Sequence, residues 1–261
     1  MNKENFELKG LVVPMPTPFA EDGSVDFGAF LSHLDWLAEC GVRNLLINGT
    51  TAEFFSLTHD EQMELLRVSR EIWKGTLVFH VGSTSLFQCL ETARAAEHEG
   101  ADFIASLPPF YIVNAPADGV VDWFTQLSEA TELPFILYNF PKHTGNPITS
   151  EMLKKIPHWG MKDSSADLSL VSVTPRYFVG GDRKISEAYA AGAVGFVSAS
   201  SNINPRPYLR IEQNQTPKNQ LAVDAVNART SGLFAIAKIK QALSEILPGY
   251  PPRVRPPLSS T

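Results

Sequence analysis

The 261-residue sequence predicts a single (β/α)8 barrel, and three observations carry that reading. Eight short apolar runs flanked by turn residues alternate with longer segments of helical period, the pattern of βα units around a parallel sheet. No Gly/Pro/Ser-rich linker divides the chain. Its length, with 44% of residues hydrophobic, suits one barrel burying a large core.

The strands are expected at LVVPM from Leu11, LLING from Leu45, LVFHV from Leu77, FIASL from Phe103, FILYN from Phe135, GMKD from Gly160, YFVGG from Tyr177 and GFVSA from Gly195. Helical periodicity falls between them at 27–39, 58–73, 86–99, 120–131, 149–156 and 185–191, and the link between strands six and seven is short and weakly helical. After SNINP at Ser201 comes a helix-compatible tail that includes 232–246. Residues 1–204 are therefore read as the catalytic barrel and 205–261 as a helical extension of the same domain.

The net charge of −6 and the absence of basic runs argue against nucleic acid or an anionic membrane surface as partner. No stretch approaches the roughly 20 apolar residues that span a bilayer, and MNKENFELKG lacks a signal-peptide core, so a cytoplasmic protein is expected. Cys40 and Cys89 form no CxxC or Cys/His pattern and read as buried thiols. The six histidines are scattered, His80 among them, so neither a metal site nor a cofactor is expected.

Barrel chemistry belongs at the C-terminal ends of strands. Strand two ends in NGTTAEFFS, where Gly49, Thr50 and Thr51 make a tight turn whose hydroxyls and backbone N–H groups can hold a carboxylate or phosphate, or simply cap the local backbone. Strand four ends in SLPPFYIVN, with Tyr111 at the loop tip, a place where aromatics usually cover a core edge or an interface. Strand five brings Tyr138 to the mouth, as proton shuttle or as loop tether.

Strand six ends at Lys162. A lysine among apolar neighbours is expensive to desolvate unless it is paired or neutral. Asp163 offers a pairing, but successive strand residues point to opposite sides, which favours an amine whose pKa is lowered by its surroundings. A neutral amine facing a barrel pocket is the nucleophile of Schiff-base chemistry. Strand seven ends in VGGDRK and strand eight in VSASSN, so that Asp182 and Arg183 are placed to read the far end of a substrate or to serve as ordinary loop residues.

In this order on these strand ends, GTTAEFFSLT, YNFPKHTG and GMKDSSAD resemble the loop, tyrosine and lysine motifs of the dihydrodipicolinate synthase and N-acetylneuraminate lyase family, the pyruvate-dependent Schiff-base aldolases. The likeness runs from GLVVPMPTPF to VRPPL. It implies that Lys162 forms an imine with pyruvate or another 2-keto acid, that Tyr138 shuttles protons, and that Thr50 and Thr51 bind the keto-acid carboxylate. It further implies that Tyr111 completes a proton relay in a neighbouring subunit, that Gly180 and Val197 line the pyruvate pocket, and that the protein is a homo-oligomer, a dimer or tetramer.

The departures bear on substrate. His143 stands where the lysine-pathway synthases carry an arginine that grips a carboxylate, Ala52 replaces a glycine, and Gly181 replaces an acid while Asp182 is retained. YNFP, KDSSAD and VSASSN lean toward members that cleave 2-keto-3-deoxy sugar acids, and AEFFSLT also resembles the branch that dehydrates 5-keto-4-deoxyglucarate. Asp182 is then a hydroxyl-binding candidate and Arg183 a candidate for a distal acidic group. The alternatives are the synthase that condenses pyruvate with aspartate semialdehyde, and a catalytically silent keto-acid-binding barrel, for which a retained nucleophile and proton shuttle have no use.

Overall fold

The computed structural model describes residues 6–165 and 167–259. Eight parallel strands close into a barrel in sequence order: β1 Gly10–Pro14, β2 Asn44–Ile47, β3 Thr76–His80, β4 Phe103–Ser106, β5 Phe135–Asn139, β6 Gly160–Asp163, β7 Tyr177–Gly180 and β8 Gly195–Val197. Around them run α1 Phe27–Glu39, α2 His59–Ile72, α3 Leu86–His98, α4 Ala117–Ser128, the short α5 Pro141–Thr144 and α6 Ser150–Leu153, and α7 Ile185–Ala190. Helices α8 Arg206–Gln213, α9 Pro217–Thr230 and α10 Ala235–Ile246 follow. The expected (β/α)8 class is the observed one.

The period-two alternation of strand side chains sorts the apolar residues into two cores. Leu11, Val13, Leu45, Ile47, Leu77 and Phe79 face the helices, in one continuous cluster with helix residues such as Phe30, Leu66 and Phe124. Val12, Leu46, Val78, Phe103, Ile136 and Phe178 fill the barrel interior with Trp159, whose ring meets Phe103 edge-on at 4.7 Å. The bottom of the barrel is therefore plugged, which leaves the C-terminal mouth as the place where an interior polar group can meet substrate.

The helix ends show where local chemistry overrides periodicity. Expected at 120–131, α4 instead begins directly after Pro116 and ends at Ser128, because Thr131 turns the chain by accepting a hydrogen bond from Leu133 N at 3.1 Å. Expected at 149–156, α6 is capped by Thr149 but covers only Ser150–Leu153, with a looser turn up to Ile156 and then Pro157. The link between β6 and β7 is a single 3-10 segment, Leu168–Ser172. The expected 232–246 helix starts at Ala235, since Gly232 and Phe234 both adopt positive φ, 92° and 60°.

Candidate active site

At the end of β2, Asn48 adopts φ 61° and clasps the end of β3: its amide donates to His80 O at 2.8 Å, and its carbonyl lies 3.0 Å from His80 Nδ1. Gly49 then opens the 3-10 turn Thr50–Ala52, with Ala52 N donating to Gly49 O. Gly49 shapes this turn and lies outside the described lining of the cavity, whereas Thr50 and Thr51 line it. His80 is fully buried, and burial pushes its imidazole down to about 3, so it stays neutral at neutral pH.

The parallel register of β5 and β6 sets Tyr138 opposite Lys162. The Lys162 amine lies 3.4 Å from the centroid of the Tyr138 ring, and the Tyr138 hydroxyl lies 3.2 Å from Thr50 Oγ1. Phe140 stacks on the Tyr138 ring with its centroid 5.8 Å away. Burial lowers the Lys162 pKa, against the opposing pulls of Tyr138 and Asp163. Lys162 still keeps part of its surface open to the cavity.

Asp163 faces the other way, as strand alternation requires. Buried in the outer layer, its carboxylate accepts from Tyr177 Oη at 2.7 Å, Asn139 Nδ2 at 2.8 Å and Ser165 Oγ at 2.8 Å. It is thus occupied in tying β5, β6 and β7 together and leaves the lysine beside it without a contacting carboxylate.

Gly180 and Val197 pair across β7 and β8 and line the same cavity, of about 560 Å³. A Cβ on Gly180 would come within 2.4 Å of Ser164 Oγ and 3.0 Å of Asp163 O, so glycine is what lets β7 approach the end of the lysine strand. Asp182 is buried against the cavity, receives Tyr208 Oη at 3.2 Å, and has its carboxyl pushed up by burial. His143 lines the rim, its ring 4.1 Å from that of Phe140 and its pKa lowered mainly by burial, with Lys142 and Lys162 adding to the effect.

Besides Gly49, two more expected positions lie outside the described lining. Arg183 is exposed and outside the described lining, because the turn at Gly181, φ 106°, buries Asp182 and sends the next residue outward. Tyr111 is 88% exposed on the loop after β4 and likewise does not line the cavity of its own chain.

Two residues of the lining, Asn227 and Thr230, carry no strand-end signal, whereas Ser200 belongs to VSASSN at the end of strand eight. Ser200, Asn227 and Thr230 bring hydroxyls and an amide into the lining from the turn after β8 and from α9, with Thr230 Oγ1 donating to Ser200 Oγ at 2.8 Å. Glu53, an acid within an apolar AEFF run, is fully buried at φ 60°. Its carboxylate takes the Lys240 ammonium and Arg255 N, which anchors the Thr50–Ala52 turn to α10 and the C-terminal tail. In the sequence it is marked by that oddity of composition and by its place in GTTAEFFSLT, the stretch that resembles the family's loop motif. Among the described residues, no group of three or more His, Cys, Asp or Glu is arranged to hold a metal ion, and no helix is long and apolar enough to cross a membrane.

A closed barrel with a depressed lysine at the end of strand six, facing a phenol and a hydroxyl, defines a carbonyl-chemistry site of the Schiff-base type. The sequence profile of the dihydrodipicolinate synthetase family matches residues 7–248, and the chain belongs to that family, whose members are pyruvate-dependent Schiff-base lyases and aldolases. It is 31% identical over 223 residues to a 4-hydroxy-tetrahydrodipicolinate synthase from Methanothermobacter thermautotrophicus, covering 79% of this chain and 78% of that one. It is 30% identical over 272 residues to an uncharacterized DapA-like lyase from Pyrococcus abyssi, covering 96% and 92%. The fold matches that of YagE, a prophage protein of the same family from E. coli K12 solved with pyruvate, at TM-score 0.88 and 22% identity over 97% and 93% of the two chains. It also matches Ruminococcus gnavus sialic acid aldolase at TM-score 0.87 and 22% identity over 96% and 91%.

Proposed function

We propose that the protein is a class I aldolase in which Lys162 forms an imine with pyruvate or another 2-keto acid and reversibly makes or breaks the bond between C3 and C4. The observation that supports this is the pairing of Lys162 with Tyr138 at the mouth, where burial lowers the lysine pKa. The neutral amine adds to the keto carbon, the carbinolamine hydroxyl takes a proton delivered through Tyr138 and leaves as water, and a cationic imine results. Loss of a proton from C3 gives an enamine, which attacks an aldehyde; hydrolysis frees the product and the lysine. Tyr138 and Thr50, 3.2 Å apart, form the proton path, and the Thr50–Thr51 turn holds the keto-acid carboxylate.

The substrate we assign is a 2-keto-3-deoxy acid of the sugar-acid type. Its hydroxyls suit the neutral polar groups of Ser200, Asn227 and Thr230, with Asp182 beside them. The synthase reading has in its favour the names of several relatives of 31–34% identity. Against it stands the absence of any arginine among the described lining residues. We further assign a cytoplasmic homo-oligomer, with exposed Tyr111, Ile112 and Val113 as the contact surface.

Incubation with pyruvate, reduction by borohydride and peptide mapping test the central assignment. A stable adduct on Lys162 is the expected result; no adduct, or one on another lysine, overturns it.

A further inference from the structure

We infer that the aldehyde half of the substrate is uncharged, carries a hydroxyl next to its carbonyl, and ends in an alkyl or aryl group rather than in a carboxylate, a phosphate or a further hydroxyl. This deepens the Schiff-base reading and rests on it.

The cavity wall beyond Lys162 is made of two chemically distinct parts. The turn after β8 and the end of α9 supply Ser200, Asn227 and Thr230, which are neutral donors and acceptors. The connection from α9 to α10 and the C-terminal tail supply Leu233, Phe234, Ile236 and Leu258, whose side chains carry no polar atom, with the hydroxyls of Ser231 and Ser259 only at the outer ends of these segments. A ligand whose first carbons bear hydroxyls and whose end is apolar satisfies both parts. A polyol end would strip water from hydroxyls without replacing their hydrogen bonds on the apolar part.

Charge points the same way. The charged side chains of the described lining are Lys162 itself, Asp182, which is tied to Tyr208, and Lys142, which is exposed at the rim. His143 is held toward its neutral form by burial and by the two lysines. A distal carboxylate or phosphate would therefore meet one flexible ammonium open to water and no bidentate partner.

Two features support a contact role for the apolar part. Leu233 is 80% exposed and Phe234 49% exposed. Phe234 also sits at φ 60°, a region that glycine enters freely and a bulky residue does not, so the fold maintains this ring at the mouth against local preference. Burying an alkyl or aryl end against the two side chains removes apolar surface of both molecules from water.

The test offers pyruvate with lactaldehyde, glyceraldehyde or succinic semialdehyde, and then extends lactaldehyde to 2-hydroxybutanal and 2-hydroxypentanal. Lactaldehyde and glyceraldehyde differ by one terminal hydroxyl. The expected kcat/KM is about tenfold higher for lactaldehyde, rises about fourfold with each added methylene, and is lowest for the semialdehyde. Leu233→Ser and Phe234→Ser should each lower the lactaldehyde to glyceraldehyde ratio toward one; because the ratio is read within a single preparation, partial misfolding cancels. A wild-type ratio at or below one overturns the inference, and so does a ratio unmoved by both variants, which would give these residues to contact between copies of the chain. Exchange of the pyruvate methyl hydrogens for deuterium separates the two levels. Exchange without the preference sinks this inference alone, whereas the absence of both exchange and borohydride adduct sinks the Schiff-base reading beneath it.

Discussion

Tyr138 holds its ring centroid 3.4 Å from the Lys162 amine and its hydroxyl 3.2 Å from Thr50 Oγ1, so one side chain touches both the proposed nucleophile and the proposed proton path. The two roles separate on removing the oxygen. Tyr138→Phe keeps the ring under the lysine but ends the relay, so borohydride trapping of pyruvate should persist while deuterium exchange at its methyl group slows by about 10²- to 10⁴-fold. Equal losses in both assays would mean that the phenol is needed to form the imine itself.

Burial lowers the Lys162 pKa from its ordinary 10.5, and that carries two pH dependences. Only the free amine adds to the keto carbon, so the rate of adduct formation should rise with pH and level off below 10.5. In the unfolded chain the lysine keeps its ordinary pKa, so between the lowered value and 10.5 the unfolded state binds more protons. The contribution of this group to stability therefore rises with pH across that window and is at its lowest beneath it. Lys162→Met should abolish the adduct yet raise Tm at pH 7, with the gain over the wild type shrinking as pH approaches 10.5. An inflection in adduct formation at or above 10.5 would remove the case for a pre-neutralised amine.

His143 tests the choice between acceptors. Its ring lies against Phe140 at the rim, and a guanidinium can stack there equally well while presenting a planar fork of donors. His143→Arg should raise kcat/KM for aspartate semialdehyde by about tenfold or more, and leave that for lactaldehyde within about twofold. No gain with the semialdehyde would show that the rest of the pocket, and not this one position, excludes a carboxylate.

The parts of the site legible in the sequence are those set by strand alternation. Lys162 shares the phase of the interior set Val12, Leu46 and Phe178, and Asp163 that of the outer set, so their opposite orientations followed from period two alone. Residues contributed by helices outside the barrel were illegible, because Asn227 and Thr230 reach the cavity only through the packing of α9 over the mouth. The appended helices showed as helical composition, but nothing in their periodicity says which end of the barrel they cover. The start of α10 differs for a related reason: the left-handed backbone of Phe234, φ 60°, has no signal in its residue type.

Glu53, whose ion pair with a residue of α10 no local pattern announces, supports the strongest stability prediction. Its carboxylate is fully buried and binds both Lys240, also fully buried, and the backbone N–H of Arg255 at 2.8 Å. Burial draws the Lys240 pKa down only to about 8 because Glu53 opposes it, so at pH 7 the lysine is still charged. Glu53→Gln preserves shape but leaves that cation without a counter-charge, which should cost about 3–5 kcal/mol and lower the urea midpoint accordingly. Adding Lys240→Met removes the orphaned charge and should recover a large part of the loss. The two variants should nevertheless agree in catalysis: each lacks the anchor from the Thr50–Thr51 turn to α10, so KM for pyruvate should be raised in both. A double variant no more stable than the single one would show that the buried charge is not what the substitution exposes, and a pyruvate KM restored by Lys240→Met would show that the turn does not depend on this anchor.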